Sequence, residues 1–401
     1  KFYKYNSPEY REEKKMVRKK KNDLRNVYLL GQSSLFNDIG SEMMTPILPF
    51  YITGLGGTGL AVGLASGFRE GLASVMNFFG GWLSDRSGER SIFVFLGYFL
   101  SVIFRFMVSI VNSWQGVIAF VSFERIGKLR DSPRDALISD TIKKKRKRGN
   151  AFGIHEMMDR IGAVIGTLLV ILFFWKLNLN IKLIIIIASG MSIFSLIPIF
   201  FIREPKTKRI KRNLFSSIKE LDKNLKYFIF VSSVFTLGNF GLYLLLILKA
   251  QQLSGSVLLP LILYAVFGIV SSVLSKYSGW LSDRVGRKRV LTFGYVLFFL
   301  LCLGFIFFQN LVFFSILFAL YGIVYGITQT TQRAYVSDVS GKTKGTAFGF
   351  FNCITGLVNI AGGLIAGALW DVNYTTMFIY LSAVAFASVI FLIFVKRDGK
   401  R

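Results

Sequence analysis

The chain is poor in the residues that most enzymes and metal proteins use. Its 401 residues include one histidine and two cysteines, and acidic residues number 22 against 49 lysines and arginines. Cys302 and Cys353 lie far apart in apolar segments, which argues against a disulfide framework and gives no metal-ligand spacing. The sequence also lacks a Gly-x-x-x-x-Gly-Lys-Ser/Thr phosphate loop, a nucleophile elbow and a zinc motif. We therefore expect no enzyme, no bound cofactor and no ATP-driven activity.

Apolar sequence is abundant by contrast. Hydrophobic residues make up 53% of the chain, with 41 phenylalanines and 38 glycines. Several stretches approach 20 residues with few charges, the length at which a helix crosses a bilayer. Phenylalanine suits lipid-facing surfaces, and glycine suits the close packing of membrane helices. The composition therefore predicts an all-α membrane protein with many spans.

The charge of the chain is strongly positive, with a formal net charge of +27. On a soluble protein this charge would suggest nucleic acid as a partner. Here the lysines and arginines lie mostly at the ends of apolar segments, which is the positive-inside pattern of membrane proteins. We therefore expect no nucleic-acid partner, and the basic segments also suit contact with anionic lipid headgroups.

One charged loop occurs twice. The string GWLSDRSGER begins at Gly81, and GWLSDRVGRKR begins at Gly279, 198 positions later. Three other short matches recur at separations of 196 to 199 residues, in spans 1 and 7, at the ends of spans 4 and 10, and in spans 5 and 11. The chain is therefore predicted to consist of two halves with one fold, related by a pseudo-two-fold axis along the membrane normal.

The pattern predicts about twelve transmembrane helices in two six-helix bundles. The termini, the central linker and both repeated loops fall on the same side of the membrane, which holds nearly all the cations and is therefore cytoplasmic. We expect a multi-pass protein of the plasma (cell inner) membrane. The predicted segments are a cytoplasmic basic tail (1–25), the first bundle (26–202), a cytoplasmic basic linker (203–226), the second bundle (227–395) and a short cytoplasmic tail (396–401).

The repeated loops resemble the loop between helices 2 and 3 of the major facilitator superfamily (MFS) of secondary transporters, Gly-x-Leu-Ser/Ala-Asp-Arg-x-Gly-Arg-Lys/Arg. The resemblance covers residues 26–395, and Glu89 departs from it where a basic residue is usual. It implies the two-bundle MFS fold and a cytoplasmic latch, in which the loop aspartates accept hydrogen bonds across the bundle interface from arginine and from a helix N-terminus. Glycine permits the tight turn. The residues expected to form these gating loops are Gly81, Asp85, Arg86, Gly88, Arg90, Gly279, Asp283, Arg284, Gly286 and Arg287.

Two further positions bear on the type of transporter that the resemblance implies. Arg125 lies where the proton-coupling antiporters of the family carry a buried arginine, although the residues around it match that motif only in part. The drug exporters of the family carry a Gly-Pro pair followed by Gly-Gly in helix 5. This chain has Gly162 and Gly166, but Thr167 stands where the proline would be. The resemblance therefore gives little support to drug export.

Charged residues inside the predicted spans are concentrated in the first half. A charge at the bilayer midplane costs about 2.5–3.5 kcal/mol on insertion scales, so these side chains must face one another or a wet cavity. Two interpretations remain open: a structural ion-pair network, or a proton or substrate site in which crowded carboxylates take up protons near neutral pH. In the second half, the side-chain amides within the spans are expected either to orient a substrate or to form hydrogen bonds between helices. The candidates for substrate or proton coupling are Asp38, Glu42, Arg69, Glu70, Arg125, His155, Glu156, Asp159, Asn239 and Asn352.

Among these candidates we expect Asp38 and Glu42 to exchange protons, with Glu156 or Asp159 next and Arg69 and Arg125 as counter-charges. The chain is then predicted to be a monomeric, proton-coupled secondary transporter that moves a small metabolite or drug-like solute by alternating access. One alternative is a divalent-metal transporter that uses the acidic cluster and the single histidine, although no ligand spacing supports it. A transport-inactive membrane sensor and a lipid flippase are the others.

Overall fold

The computed structural model describes residues 8–142, 145–204, 221–308, 310–340 and 344–395. Over these residues the chain forms twelve long helices and no strand, as the composition predicts. The helices of the first half are α1 (Pro8–Met44, a 3₁₀ turn at Thr45–Ile47, and Leu48–Gly54), α2 (Gly59–Ser87), α3 (Arg90–Ile110), α4 (Trp114–Ile126, a 3₁₀ turn at Gly127–Arg130, and Asp131–Thr141), α5 (Lys145–Trp175) and α6 (Ile181–Ile193, then a 3₁₀ turn at Ile197–Phe201). Those of the second half are α7 (Lys223–Gly238 and Tyr243–Ser254), α8 (Leu258–Val285), α9 (Arg287–Phe307), α10 (Leu311–Val339), α11 (Lys344–Val372) and α12 (Tyr374–Ile393).

Each of the twelve predicted spans corresponds to one helix, and most bounds agree within a few residues. The main difference is at the start, where α1 begins at Pro8 and runs through the predicted tail. Lysine and glutamate are frequent in this stretch and are good helix formers, so the helix continues beyond its apolar part. The polar section after span 4 is likewise helical, as the last part of α4. Residues 205–220 of the predicted linker and the predicted tail 396–401 lie outside the described residues.

Nine of the helices are long and apolar enough to span a membrane, counting only the described residues. The other three are α1, α2 and α4. Each of them carries charged residues far from its ends, and these charges lower its hydropathy. Such helices must turn their charged face away from lipid. The charged residues are Asp38 and Glu42 on α1, Arg69 and Glu70 on α2, and Glu124 and Arg125 on α4.

Two helices, α1 and α7, are interrupted part-way along their length. Pro46 and Pro49 lack the N–H that an α-helix needs, so the hydrogen-bond ladder of α1 is broken there. The break in α7 contains Gly241, whose φ of +92° favours glycine. A Cβ at Gly241 would also lie 2.7 Å from Ser66 Oγ of α2, so the break fits closely against the first half. The segments after the two breaks are mostly buried and pack against each other.

Besides the contact between the segments that follow the two breaks, the two six-helix halves meet mainly along two helix pairs, α2 with α11 and α5 with α8. Four glycines of α2, spaced by four residues, line the contact with α11. A Cβ on Gly63 would overlap the carbonyl oxygen of Gly363, and one on Gly67 would lie 2.7 Å from the carbonyl oxygen of Asn359. The two backbones are therefore in direct contact, as in the small-residue packing of membrane helices.

The helical bundle has two ends that differ in charge. The basic end is the end at which α2 turns into α3 and α8 turns into α9, and it carries both copies of the repeated loop. The opposite end is the end at which α1 turns into α2 and α11 turns into α12.

The substitution Gly63→Val tests the direct contact between α2 and α11. We expect a lower unfolding temperature for the purified protein in detergent, because the new side chain fits only if the two helices separate, and overpacking of this kind costs roughly 1–3 kcal/mol. Gly190→Val in α6 is the matched control, since nothing lies within 4 Å of a Cβ added there. Equal losses in the two variants would contradict the contact.

Candidate functional site

A cavity of about 390 Å³ lies between the two halves. Its wall is built by α1, α2, α4 and α5 on one side and by α7, α8, α10 and α11 on the other. It extends from Glu42 and Tyr264 toward the basic end, as far as Lys128 and Arg333. This volume falls in the range of small-molecule sites, roughly 300–1,000 Å³. Both halves therefore contribute to one site of small-molecule size.

Polar contacts join the two halves on the side of the opposite end. Asp371 of α11 accepts hydrogen bonds from Thr58 Oγ1 (2.5 Å) and from the backbone N–H groups of the next two residues (2.7 and 3.0 Å). It therefore caps the N-terminus of α2, where a carboxylate is favoured by the helix dipole. Deeper in the bundle, Ser66 Oγ donates to the carbonyl oxygen of Gly241 at 2.6 Å. These contacts close the cavity on that side.

Two carboxylates of the first half accept hydrogen bonds from tyrosines of the second. Tyr264 OH donates to Glu42 Oε2, and Tyr243 OH donates to Glu70 Oε1, each at 2.7 Å. Among the described residues neither carboxylate has an ion-pair partner. Each negative charge is thus held by a neutral donor from the other half of the protein, and all four side chains line the cavity.

Behind these residues, Glu124 lies between two buried arginines. Glu124 Oε1 is 2.6 Å from Arg105 Nη2, and Glu124 Oε2 is 2.9 Å from Arg125 Nε. Arg105 is completely buried and also donates to the carbonyl oxygen of Asn37 at 3.2 Å and to the hydroxyl of Ser192. This part of the first half is an ion-pair network, one of the two arrangements that the sequence left open, and Arg125 is its member on the cavity wall.

Arg69 differs from the other buried arginines. Its side chain is 4% exposed and lies on the cavity wall. Its Nη2 donates to Thr45 Oγ1, and its Nη1 has no hydrogen-bond partner in the described part of the chain. A buried cation is normally paired, because its desolvation is otherwise uncompensated.

Four of the predicted coupling residues line neither the cavity nor the smaller pocket described below. His155 is buried and approaches Asp159 of the same helix at 3.5 Å, whereas Glu156 is exposed and pairs with Arg160 at 2.8 Å. Asp38 is half-buried on α1, one turn nearer the basic end than Glu42. The helix α5 packs closely on α1 over this turn, where Gly162 and Gly166 contact the backbone of Leu35 and Ile39. A coupling role for these four residues stays a prediction.

A smaller pocket of about 120 Å³ adjoins the cavity on the side of the second half. Asn239 lines it and accepts a hydrogen bond from Tyr321 OH through its Oδ1. Asn352 lines both the pocket and the main cavity, as do Glu70 and Arg333. The two predicted asparagines therefore belong to the same enclosed space as the charged residues of the first half.

Each repeated loop forms a similar ion-pair group at the basic end, with aspartates at equivalent positions and an arginine that lies one position earlier in the second copy than in the first. In the first half, Arg90 contacts Asp85 (3.2 Å) and Asp140, and Gly88 turns the chain with a φ of +78°. In the second half Gly286 has a φ of +102°. The equivalent ion pairs of the second half join Arg287 to Asp283 and to Asp338 (3.0 Å).

The other loop residues also have equivalent positions. Gly81 of α2 lies close to Ser132 of α4, and Gly279 of α8 lies close to Thr330 of α10, 198 positions further along in each case. The guanidinium groups of Arg86 and Arg284 lie 5.6 and 4.0 Å from the ring centres of Trp82 and Trp280. The sequence predicts that the loop aspartates bond across the bundle interface. In this structure their ion pairs lie within their own half, because the nearest arginine belongs to the same loop.

Tyr243, Tyr264 and Arg333 are among the cavity residues that were not predicted as site residues. No sequence feature marked Tyr243 and Tyr264 as site residues, since a tyrosine in an apolar span can equally well be a packing residue. Arg333 did have such a feature, because it is among the few charges in the second half, but its place near the end of span 10 made it look like a flanking residue. Among the described residues no three His, Cys, Asp or Glu side chains come together as a metal site, so the metal alternative finds no support there.

The family model and the related sequences indicate the same protein family. The model of the Major Facilitator Superfamily matches residues 31–358 and 227–401. An uncharacterised MFS-type transporter of Methanocaldococcus jannaschii is 40% identical over 380 residues, which cover 92% of this chain and 95% of that protein. The multidrug resistance protein MdtH of Baumannia cicadellinicola is 23% identical over 364 residues, covering 86% and 85% of the two chains.

Solved structures show the same fold. The nucleoside transporter NupG superposes with a TM-score of 0.73 at 14% identity, covering 92% of this chain and 98% of that one. A POT family transporter in complex with 5-aminolevulinic acid gives a TM-score of 0.78 at 12% identity, covering 92% and 96%. At these identities the likeness concerns the fold alone.

The substitution Glu124→Gln tests the buried ion-pair network. We expect a loss of roughly 3–5 kcal/mol in stability, because two buried arginines lose their counter-charge. Thermal unfolding in detergent measures it. The double variant Arg105→Met with Glu124→Leu should recover part of the loss, since it removes both charges of the closest pair. Glu89→Gln, at an exposed loop residue, is the control for the same chemical change, and an equal loss there would contradict the network.

Proposed function

Because the chain belongs to the Major Facilitator Superfamily of membrane transporters, we propose that it is a proton-coupled secondary transporter that moves a small solute by alternating access. It is an integral membrane protein with multiple spans. We place the basic end in the cytoplasm, with both termini, by the positive-inside rule. We further place it in the cell inner membrane as a monomer, in contact with anionic headgroups on the cytoplasmic side.

The observation that carries this proposal is the cavity between the halves and the way it is closed. On the side of the opposite end, hydrogen bonds accepted by Asp371, donated by Ser66 and formed within the two tyrosine–glutamate pairs cross from one half to the other. Arg160 and Arg333, toward the basic end of the same cavity, are exposed. A site between two rigid bundles, closed on one side by a few breakable polar contacts, is what alternating access requires.

Glu42 and Glu70 are the best candidates for the proton sites. The third carboxylate of the cavity wall, Asp131, lies 3.4 to 3.8 Å from three cations, whereas these two rely on tyrosine hydroxyls. Carboxylates that are buried without a cation are the ones that take up protons near neutral pH. A charged carboxylate accepts a stronger hydrogen bond than a neutral one. Protonation therefore weakens two bonds that hold the halves together, which links proton binding to opening.

Reconstitution into liposomes that contain a pH-sensitive dye tests the proposed function. The solutes to be added come from the ligands and names of similar proteins: uridine, 5-aminolevulinic acid and the fluorescent drug ethidium, with an imposed pH gradient. We expect at least one solute to change the pH inside vesicles that contain the protein, and we expect no change inside empty vesicles. Solute movement without proton movement would contradict proton coupling. No movement of any solute would favour the alternative that the protein is a transport-inactive membrane sensor.

The substitutions Glu42→Gln and Glu70→Gln test the proton sites. For a solute that the wild type transports, we expect each variant to lose most flux driven by a pH gradient while solute exchange at equal pH persists, because glutamine keeps the shape but binds no proton. Glu89→Gln, at an exposed loop position, is the matched control and should retain driven flux. Retention of driven flux by both cavity variants would contradict the assignment.

The substitution Asp371→Ala tests the closed side of the cavity. Loss of a helix cap costs about 1 kcal/mol, which shifts the equilibrium several-fold toward a state open at the opposite end. Spin labels are attached at Trp175→Cys and Val312→Cys, in a chain that also carries Cys353→Ser. We expect Asp371→Ala to increase the population of molecules in which the two labels lie far apart.

The matched control for this experiment is Asp222→Ala. Asp222 caps the N-terminus of α7, but its hydrogen bonds stay within one half of the protein. Its loss should lower stability without changing the distance distribution. If both variants gave the distribution of the wild type, Asp371 would not hold the two halves together.

A further inference from the structure

The cavity contains a buried cation whose partner is missing from the described chain. Arg105 and Arg125 share the charge of Glu124, whereas Arg69 donates only to the neutral Thr45 Oγ1, and its Nη1 is unpartnered on the cavity wall. The carboxylate next to it in sequence, Glu70, already accepts a hydrogen bond from a tyrosine. A guanidinium that is only 4% exposed, has no ion pair within 4 Å in the described residues and keeps one nitrogen without a hydrogen bond is a ready-made contact for an anion.

A second cation lies across the same cavity. Arg333 of α10 is exposed, lines both the main cavity and the adjoining pocket, and has no hydrogen bond or ion pair to another described residue. By contrast, Arg160 and Lys128, which also line the cavity, are paired with Glu156 and Asp131 at 2.8 and 3.6 Å. The two cations that remain available therefore come one from each half, and both repel a cationic solute.

The adjoining pocket supplies groups of a different kind. Its walls carry the side-chain amides of Gln329, Asn352 and Asn359, none of which makes a hydrogen bond within the described residues. The hydroxyls of Thr236 and Thr328 lie in the same wall. Each free amide offers two donors and an acceptor. Half-buried groups of this type bind hydroxyl, carbonyl or amide groups, and they gain little from a purely apolar solute.

We propose that the solute is a small organic anion, whose carboxylate or phosphate binds between Arg69 and Arg333 and whose hydroxyl or amide groups enter the pocket of the second half. This inference rests on the proposed function, since it names the solute class of the same cavity. The combined space, about 390 and 120 Å³, fits a molecule of metabolite size. The first half then recognises the charge, and the second recognises the polar remainder.

A set of hexose derivatives with matched size tests the solute class. The purified protein in detergent is titrated with gluconate, glucose 6-phosphate, glucose and glucosamine, and the change in unfolding temperature is followed. We expect stabilisation by one or both anions and none by neutral glucose or cationic glucosamine. The two anions separate a carboxylate ligand from a phosphate ligand. Stabilisation by glucosamine alone, or by none of the four, would overturn the proposal.

Two arginine variants locate the binding. Arg69→Gln and Arg333→Gln should each weaken apparent anion affinity about 10- to 100-fold, since hydrogen bonds to charged groups are strong. Arg333 is exposed, so its variant is expected to fold even if Arg69→Gln does not. Arg289→Gln, an exposed cation outside the cavity wall, is the control for non-specific attraction and should bind as the wild type does. Unchanged affinity in Arg333→Gln would overturn the proposal.

The amide pocket has its own variant. Asn352→Leu should weaken binding of gluconate but leave binding of acetate, a carboxylate without the polar remainder, as weak as in the wild type. Equal weakening of gluconate and acetate binding would show that the amides do not recognise the polar part of the solute. In liposomes, anion binding without flux would support this binding site but contradict the proposed transport. Flux of ethidium without anion binding would support transport but contradict an organic anion as the solute.

Discussion

The cost of placing charge inside a membrane governs this structure more than any other constraint. Each charged side chain in a span must find a partner or water. The chain meets this requirement by gathering its charged helices, α1, α2 and α4, in one half and turning their polar faces inward. Glu124 balances two arginines there, and two other carboxylates reach across to tyrosines. The wet cavity between the halves follows from this arrangement, because the charged faces have nowhere else to lie.

The internal duplication explains which features occur twice and which do not. At the basic end both halves keep a three-residue ion-pair group with aspartates at equivalent positions, centred on Arg90 in one half and, one position earlier in the repeat, on Arg287 in the other. The middle of the bundle has diverged, since the first half supplies carboxylates and the second supplies hydroxyls and amides. Divergence there is tolerated because the cavity, unlike the loops, needs complementary chemistry on its two sides. A copy of the same charges in both halves would place like charges face to face.

Periodicity and repeats were sufficient to predict the helices and the two-bundle fold. They also placed Glu42, Arg69, Glu70 and Arg125 in the interior, and the structure brings these four residues to one cavity. The partners of these residues were beyond prediction, because they depend on how each helix is rotated. Asp38 shows the limit: it shares a helical face with Glu42, yet of the two only Glu42 lines the cavity. The breaks in α1 and α7 set the rotation of the segments that follow them, and no periodicity reveals that angle.

The glycine contact between α2 and α11 has a consequence for how this protein can change over time. Most packing defects can be repaired by a second mutation that trims the facing side chain. At Gly63 and Gly67 the facing atoms belong to the main chain, and those opposite Gly63 belong to glycines themselves. No smaller residue exists, so an enlargement on either helix has no second-site suppressor opposite it. The contact between α2 and α11 is therefore the stretch of the protein where the fewest substitutions can be accommodated.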